Sequence, residues 1–344
     1  MTSEFPNYPH QRIGTLDALA RVLAVPKDQL LTVASRAEVL YRIAAQEQKA
    51  DGSIRQTFDA KPKLKEIQRK IKERLLQKVK FPPYLQGSLK GRSPRLNAES
   101  HKGAHLSISE DIQNFFPSVG RDHVVSIWRD FFRFSDEVSE LLTALTVKDD
   151  GIPQGAITSS YMANLVFWDY EPRLVEQLAA MGLTYTRYVD DVIVSSRQHV
   201  TKEVQSLVVA KIYGMLGRYS LRPKRTKHEV STRSKRMTAT KLVINKRVAL
   251  PKETRQNIRA QVFAIERRVL EGDRGADLVK ALASASSRVG RLASMHPTMG
   301  QALKARLKVV RTTLASESPP EAFQVAVVSR APQSVDEDFV PPWV

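Results

Sequence analysis

Two adjacent acids, Asp190 and Asp191, stand between two β-favouring runs at residues 183–188 and 192–195. Turns favour Asp, so a surface hairpin tip is one reading of such a pair. A tip normally carries Gly or Asn at its positive-φ positions, whereas this segment reads Tyr188-Val189-Asp190-Asp191-Val192-Ile193-Val194. Acids flanked so closely by aromatic and β-branched residues are expected to be partly buried. Paired buried carboxylates need a counter-charge, which a divalent cation supplies. A third acid, Asp111, closes the strand-like run at residues 106–110 and leads into Ile112-Gln113-Asn114-Phe115-Phe116-Pro117-Ser118. Glu110 should face the other side of that strand, which leaves Asp111 for the metal. Three carboxylates from two strands can hold two Mg²⁺ about 4 Å apart, the arrangement that clamps attacking and leaving oxygens in nucleotidyl transfer. One ion would lower the pKa of a primer hydroxyl, and the other would neutralise departing pyrophosphate.

The rest of the chain must build a scaffold for these acids. Its 344 residues suffice for two domains or one large multi-lobed one, and 42% hydrophobic with 26% charged residues fits a folded chain. No apolar stretch approaches the ~20 residues of a membrane helix. The amino end lacks the basic-then-apolar order of a signal peptide, so the cytoplasm is expected. With no Cys, disulfides, thiolate zinc sites, iron–sulfur clusters and Cys nucleophiles are excluded. The net charge is +18, and residues 221–260 hold 13 Lys/Arg against Glu229 and Glu253. A solvated surface and a nucleic-acid groove both produce such clustering.

Periodicity predicts helices over the first forty residues and a hairpin about Ala50-Asp51-Gly52-Ser53. A basic helix carries Leu64, Ile67, Ile71, Leu75 and Val79 on one face and ends at Phe81-Pro82-Pro83. Further helices are expected at residues 131–145, at 161–180 and, in long runs, from Pro251 to about Leu314. The last segment, with Pro319-Pro320, Asp336-Glu337-Asp338 and Pro341-Pro342, reads as a loosely held acidic tail.

Asp111 with Phe115-Phe116-Pro117-Ser118-Val119, then Gly151-Ile152-Pro153-Gln154-Gly155-Ala156, then Tyr188-Val189-Asp190-Asp191 occur in the order of reverse-transcriptase motifs A, B and C. The chain further resembles the bacterial retron-type reverse transcriptases. Gly87-Ser88-Leu89-Lys90-Gly91-Arg92-Ser93 and Asn97-Ala98-Glu99-Ser100-His101 look like the stretch before motif A in that family. Arg55, Pro62, Leu64-Lys65 and Gln68 are similar to its fingers motifs, and Leu242-Val243-Ile244-Asn245, Pro251 and Arg259 to its thumb entry. The resemblance spans roughly residues 13–307. Ala239-Thr240-Lys241 departs from it, since retron enzymes usually carry Val-Thr-Gly there.

The resemblance implies an α+β, right-hand polymerase fold. A helical region would occupy residues 1–48, and fingers 49–105 with part of 120–150. The palm, an antiparallel sheet with helices, would follow at 106–220, a basic helical thumb at 221–315 and a flexible acidic tail at 316–344. It implies Asp111, Asp190 and Asp191 as catalytic metal ligands, adds Ile112 to the metal set, and names Lys227 as the general acid. Phe116 becomes a gate against the ribose 2′-OH, Gln154 and Gly155 nucleotide-sugar contacts, and Arg55 and Lys65 the triphosphate grip. Asn97, His101, Thr240, Lys241 and Asn245 become RNA contacts. His101 read by itself is a structural hydrogen-bonding residue, and Lys65 reads equally as one more charge on a basic helix.

Expected with these are two Mg²⁺ per site (Mn²⁺ as the substitute), dNTPs, a structured non-coding RNA as template and primer source, a DNA product, an effector protein and a role in anti-phage defence, with no membrane. Two alternatives stay open. One is a defence-associated bacterial reverse transcriptase outside the retrons, and the other is a non-catalytic RNA-binding scaffold on a polymerase fold.

Overall fold

The computed structural model describes residues 5–48, 52 and 54–316; most of the expected turn at 50–53 and of the expected tail lies outside them. Two short helices open the chain, α1 (Leu16–Leu23), capped by the Thr15 hydroxyl, and α2 (Lys27–Ala34), which follows Pro26. The expected hairpin forms from β1 (Tyr41–Gln48) and β2 (Ile54–Ala60), antiparallel with Glu47 opposite Arg55. The basic helix α3 (Pro62–Arg74) stops before the expected end, and a 3₁₀ turn at Leu76–Lys78 follows. All five residues of its apolar face are nevertheless buried. After α4 (Pro94–Ser100) comes β3 (Leu106–Asp111).

Two expected helices are interrupted. Within 131–145 the chain leaves a π-helical turn (Ile127–Phe131) and restarts as α7 (Asp136–Thr146), with α5 (Phe115–Ser118) and α6 (Arg121–Ser126) lying upstream of the segment. Arg133 has positive φ, and the Ser135 hydroxyl caps a fresh start. The segment at 161–180 divides into α8 (Ser159–Leu165) and α9 (Glu171–Ala180), because Pro172 is tolerated only in a helix's first turn.

The sheet that positions the acids is antiparallel, in the order β4 (Thr184–Tyr188), β5 (Asp191–Ser196), β3, β6 (Glu229–Thr232). Its register runs unbroken from Leu106 opposite Ser196 to Asp111 opposite Asp191. Between β5 and β6 lies α10 (Lys202–Arg218). A two-residue hairpin, β7 (Thr238–Ala239) with β8 (Leu242–Val243), follows β6.

The chain divides into compact units at residues 1–247 and 248–344. Residues 229–232, within the stretch expected for the thumb, pair with β3 and belong to the first unit. The described part of the second unit packs three helices, α11 (Lys252–Leu270), α12 (Ala276–Met295) and α13 (Pro297–Leu314), around Val262, Ile265, Val289, Leu292 and Leu307. Inside this unit Arg306 forks onto both oxygens of buried Glu266. A Cβ on Gly300 would lie 2.2 Å from Ala293 Cα, so that glycine sets how closely α12 and α13 approach. Among the described residues no helix is long and apolar enough to cross a membrane.

Candidate active site

Strand alternation decides which side chains meet. Asp111 and Asp191 are direct partners across β3 and β5, so their carboxyls project from the same face. The two share a hydrogen bond. Glu110 faces the opposite side, buried, where it accepts from His228 Nδ1 at 2.5 Å and from the Tyr213 hydroxyl at 3.3 Å. Asp190 occupies the loop between β4 and β5, and its carbonyl accepts from the Ile112 amide at 3.0 Å, fastening the acid-bearing loop to the end of β3.

That loop is a hairpin tip after all, two residues long, since Tyr188 pairs with Asp191. Of its central residues only Val189 has positive φ (62°), the pattern of a type II′ turn, which ordinarily takes Gly at that position. The tip is covered rather than exposed: Val189 is buried beneath Gly87, where a Cβ would fall 2.4 Å from the Val189 amide nitrogen.

Burial and mutual repulsion govern the acids. Burial, followed by the Asp111 charge, raises the Asp190 carboxyl above the usual range. Asp191 is pushed up to about 7 by burial, then by Asp190 and Asp111. Lys227 Nζ donates to Asp111 Oδ1 at 2.6 Å and offsets part of this charge. Burial works against its ammonium, but the three aspartates together raise its pKa. Among the described residues no three acidic, His or Cys side chains already enclose a single point for an ion. Three clustered carboxylates, two of them held toward protonation, are nevertheless a hard-oxygen donor set short of positive charge, which suits a divalent cation. Ile112, whose only donor is its main-chain carbonyl, is buried beside Asp111.

The acids open into a cleft of about 520 Å³ lined by Asp111, Asp190, Lys227, Lys224, Ile112, Phe115, Phe116, Gln154, Arg55, Gln56, Phe58 and Lys148, among others. Phe116 is partly exposed there, while Phe115 is buried against Phe167. The Gln154 carbonyl accepts from the Phe58 amide at 2.7 Å. Gly155, at φ 107°, passes so close to β2 that a Cβ would sit 2.7 Å from the Phe58 carbonyl oxygen. Arg55 is exposed on β2 and acts electrostatically on Asp190.

Several expected residues lie elsewhere. Lys65 does not line the cleft; its ammonium donates to Asp59 Oδ1 at 2.6 Å, which Arg42 also grips. Lys148, which sequence reasoning missed, lines the cleft instead, 5.2 Å from the Phe58 ring centroid and bonded to Glu38 and Asp149. Its position in an Asp-rich turn gave no signal. Asn97 and His101, expected as RNA contacts, are both buried. The two His101 ring nitrogens meet the Ser195 and Thr186 hydroxyls at 2.7 Å each, and burial lowers its pKa to about 4. Asn245 is partly exposed and ties its own loop, accepting from the Met237 amide and donating to the Lys235 carbonyl. Thr240 and Lys241 form the tip between β7 and β8, both with positive φ. The Thr240 hydroxyl is anchored to the Pro94 carbonyl, and Lys241 is exposed.

Comparison with known proteins agrees with this geometry. Residues 47–256 match the family described as Reverse transcriptase (RNA-dependent DNA polymerase). The chain is 34% identical over 262 residues to the Retron Se72 reverse transcriptase of Salmonella heidelberg (strain 579083-10), covering 75% of this chain and 69% of that protein. It is 34% identical over 196 residues to the Retron Ec48 reverse transcriptase of Escherichia coli, covering 54% of this chain and 48% of the relative. With the Retron Ec86 reverse transcriptase of Escherichia coli it shares 25% over 257 residues, 74% of this chain and 78% of the other. An antiparallel sheet carrying opposed aspartates at the head of an open cleft is therefore joined to a family match over more than half the chain, and the chain belongs to the reverse transcriptases, RNA-directed DNA polymerases, of the bacterial retron type.

Proposed function

We propose that this chain copies a dedicated, structured non-coding RNA into DNA from dNTPs, and that the product serves anti-phage defence together with an effector protein. The observation that carries the chemistry is the opposed pair Asp111 and Asp191, with Asp190 beside them and the Lys227 ammonium on Asp111. Asp111, Asp190 and Asp191, with the Ile112 carbonyl, would hold two Mg²⁺, for which Mn²⁺ can substitute. When bound, the ions lower the pKa of the primer hydroxyl and stabilise the charge that builds on pyrophosphate. The chain's own side chains supply the rest. Lys227 carries a proton at the cleft for delivery to the leaving group. Arg55 and Lys148 offset triphosphate charge, Phe116 occupies the space a 2′-OH would need, and Gln154 and Gly155 meet the nucleotide sugar. The named retron relatives support the choice of template.

One observation favours a second reading, a defence enzyme outside the retrons with another RNA. Lys241 occupies a left-handed position at a hairpin tip, where the retron pattern has Gly. Sequencing the nucleic acid that co-purifies with the chain decides between them: a branched RNA–DNA hybrid is expected, and linear products alone would select the second reading. Extension of a primer on defined RNA with labelled dNTPs should require Mg²⁺. Asp190→Asn should bind RNA as before yet lose about a thousandfold in synthesis, the several kcal/mol a metal contributes. Synthesis undiminished by that change would instead make the chain a scaffold.

A further inference from the structure

Arg187 is fully buried on β4, on the face of the sheet opposite Asp111 and Asp191. A buried guanidinium must spend five N–H donors, and here every one is spent. Nε donates to Glu171 Oε1 at 2.6 Å and Nη2 to Glu171 Oε2 at 2.8 Å, a bidentate pair. The remaining three go to main-chain carbonyls: Ala163 at 3.2 Å, Asn164 at 3.1 Å and Val189 at 3.0 Å. Its Cζ lies 5.0 Å from the Phe167 ring centroid, and the Tyr185 hydroxyl donates to Glu171 at 2.7 Å.

Of these acceptors, Val189 is the one in strain. A β-branched residue at positive φ is strained relative to an ordinary conformation. Left to itself the turn would relax and carry Asp190 with it. We infer that Arg187 is a positioning residue for the metal-binding acids: anchored by Glu171 behind the sheet, it holds the Val189 carbonyl and so keeps the two-residue turn in the geometry that places Asp190 and Asp191 beside Asp111. Asn164 also fixes Gly87, donating to its carbonyl at 2.9 Å and so holding it packed against the Val189 backbone.

Removing only one charge would leave the other buried and unpaired, so the test removes both. Arg187→Met with Glu171→Gln keeps an acceptor for Tyr185. The measurements are the thermal midpoint, kcat and dNTP KM on an annealed RNA–DNA primer–template, and Mn²⁺ bound in the absence of nucleotide, read by electron paramagnetic resonance. Misplacing reacting groups by about 1 Å costs about a hundredfold, so kcat should fall by about that factor while dNTP KM stays within about twofold. Mn²⁺ affinity should fall alongside kcat. Adding Val189→Gly, which relieves the strain the clamp opposes, should recover much of kcat and of Mn²⁺ affinity while lowering the thermal midpoint further, since it strips a buried side chain. A structural role alone predicts that activity and midpoint move together and that Val189→Gly makes both worse; that outcome overturns the inference. The clamp rests on the metal-site reading, and the two fail differently. A wild-type protein that binds no Mn²⁺ sinks the site, whereas Mn²⁺ bound equally by wild type and the Arg187→Met/Glu171→Gln variant sinks only the clamp.

Discussion

Lys227 Nζ lies 2.6 Å from Asp111 Oδ1, linking residues 116 positions apart at the head of the cleft. One ammonium facing three carboxyls offsets only part of their charge, and burial first, then the mutual repulsion of the carboxylates, raises the pKa values of Asp190 and Asp191. Replacing Lys227 by Met should reduce single-turnover extension by about a hundredfold, the usual scale of a lost general acid. Lys227→Arg should not restore the rate, because a guanidinium keeps its proton. Rapid-quench measurement on a preformed primer–template checks both expectations.

Asp191 holds its proton up to about pH 7. A cation binding there must displace that proton, so metal affinity rises as the carboxyl ionises. The Mg²⁺ concentration for half-maximal activity should therefore decline between pH 6 and pH 8, and Asp191→Asn should abolish activity. Titrations of Mg²⁺ at fixed dNTP across that range would reveal a flat dependence if the carboxyl pKa were ordinary.

Phe116 is exposed to the cleft while its neighbour Phe115 is buried, so the two adjacent rings serve different ends. Phe116→Ala should raise rNTP incorporation relative to dNTP by about tenfold or more, within the range that reshaping one pocket wall gives. Competition of dCTP against CTP on one template reads it directly. Phe115→Ala should instead cost about 3–5 kcal/mol of stability, as core aromatics do.

His101 is buried neutral, with its pKa lowered to about 4 from an ordinary 6.5. Above pH 6.5 neither folded nor unfolded chain is protonated there, and the contribution is complete. As pH falls from 6.5 to 4 the unfolded chain takes up a proton that the folded chain refuses, so stability declines by about 3 kcal/mol in total and then levels off. Urea unfolding across pH 4–7.5 should show a shallower decline for His101→Gln than for the wild type, although the variant starts lower.

Thr240 and Lys241 both adopt positive φ at the tip of the β7–β8 hairpin. Lys241→Gly should stabilise the first unit by about 0.5–1 kcal/mol, because glycine carries no penalty there. Loss of the exposed cation should at the same time weaken RNA binding and reduce its salt dependence by about one phosphate contact. Filter binding at several salt concentrations, alongside thermal melts, checks the two opposite movements.

Local pattern carried a good part of this architecture. Period-two alternation alone separated Asp111 from Glu110, and the β-favouring runs about Asp190 located the two strands but not the tight turn that joins them. What local pattern lacks is the identity of distant partners. Arg187 reads as one more charge in Thr184-Tyr185-Thr186-Arg187-Tyr188, and only the fold brings Glu171 to it. Lys65 was drawn to Asp59 rather than the cleft, while Lys148 arrived there from a turn with no distinguishing signature. Val189 defeated the expectation that a tip announces itself by Gly or Asn, since tertiary contacts hold the turn against its own preference.

The ladder between β3 and β5 runs without a bulge from Leu106 and Ser196 to Asp111 and Asp191. Adding or deleting one residue within either strand would turn one end of it over relative to the other, so that the aspartate at its end and the side chains that pack the core could no longer both keep their faces. Chain length in these twelve positions is thus as constrained as residue identity at their ends. Natural relatives and engineered variants should vary in length outside this ladder, in surface connections, and not within it.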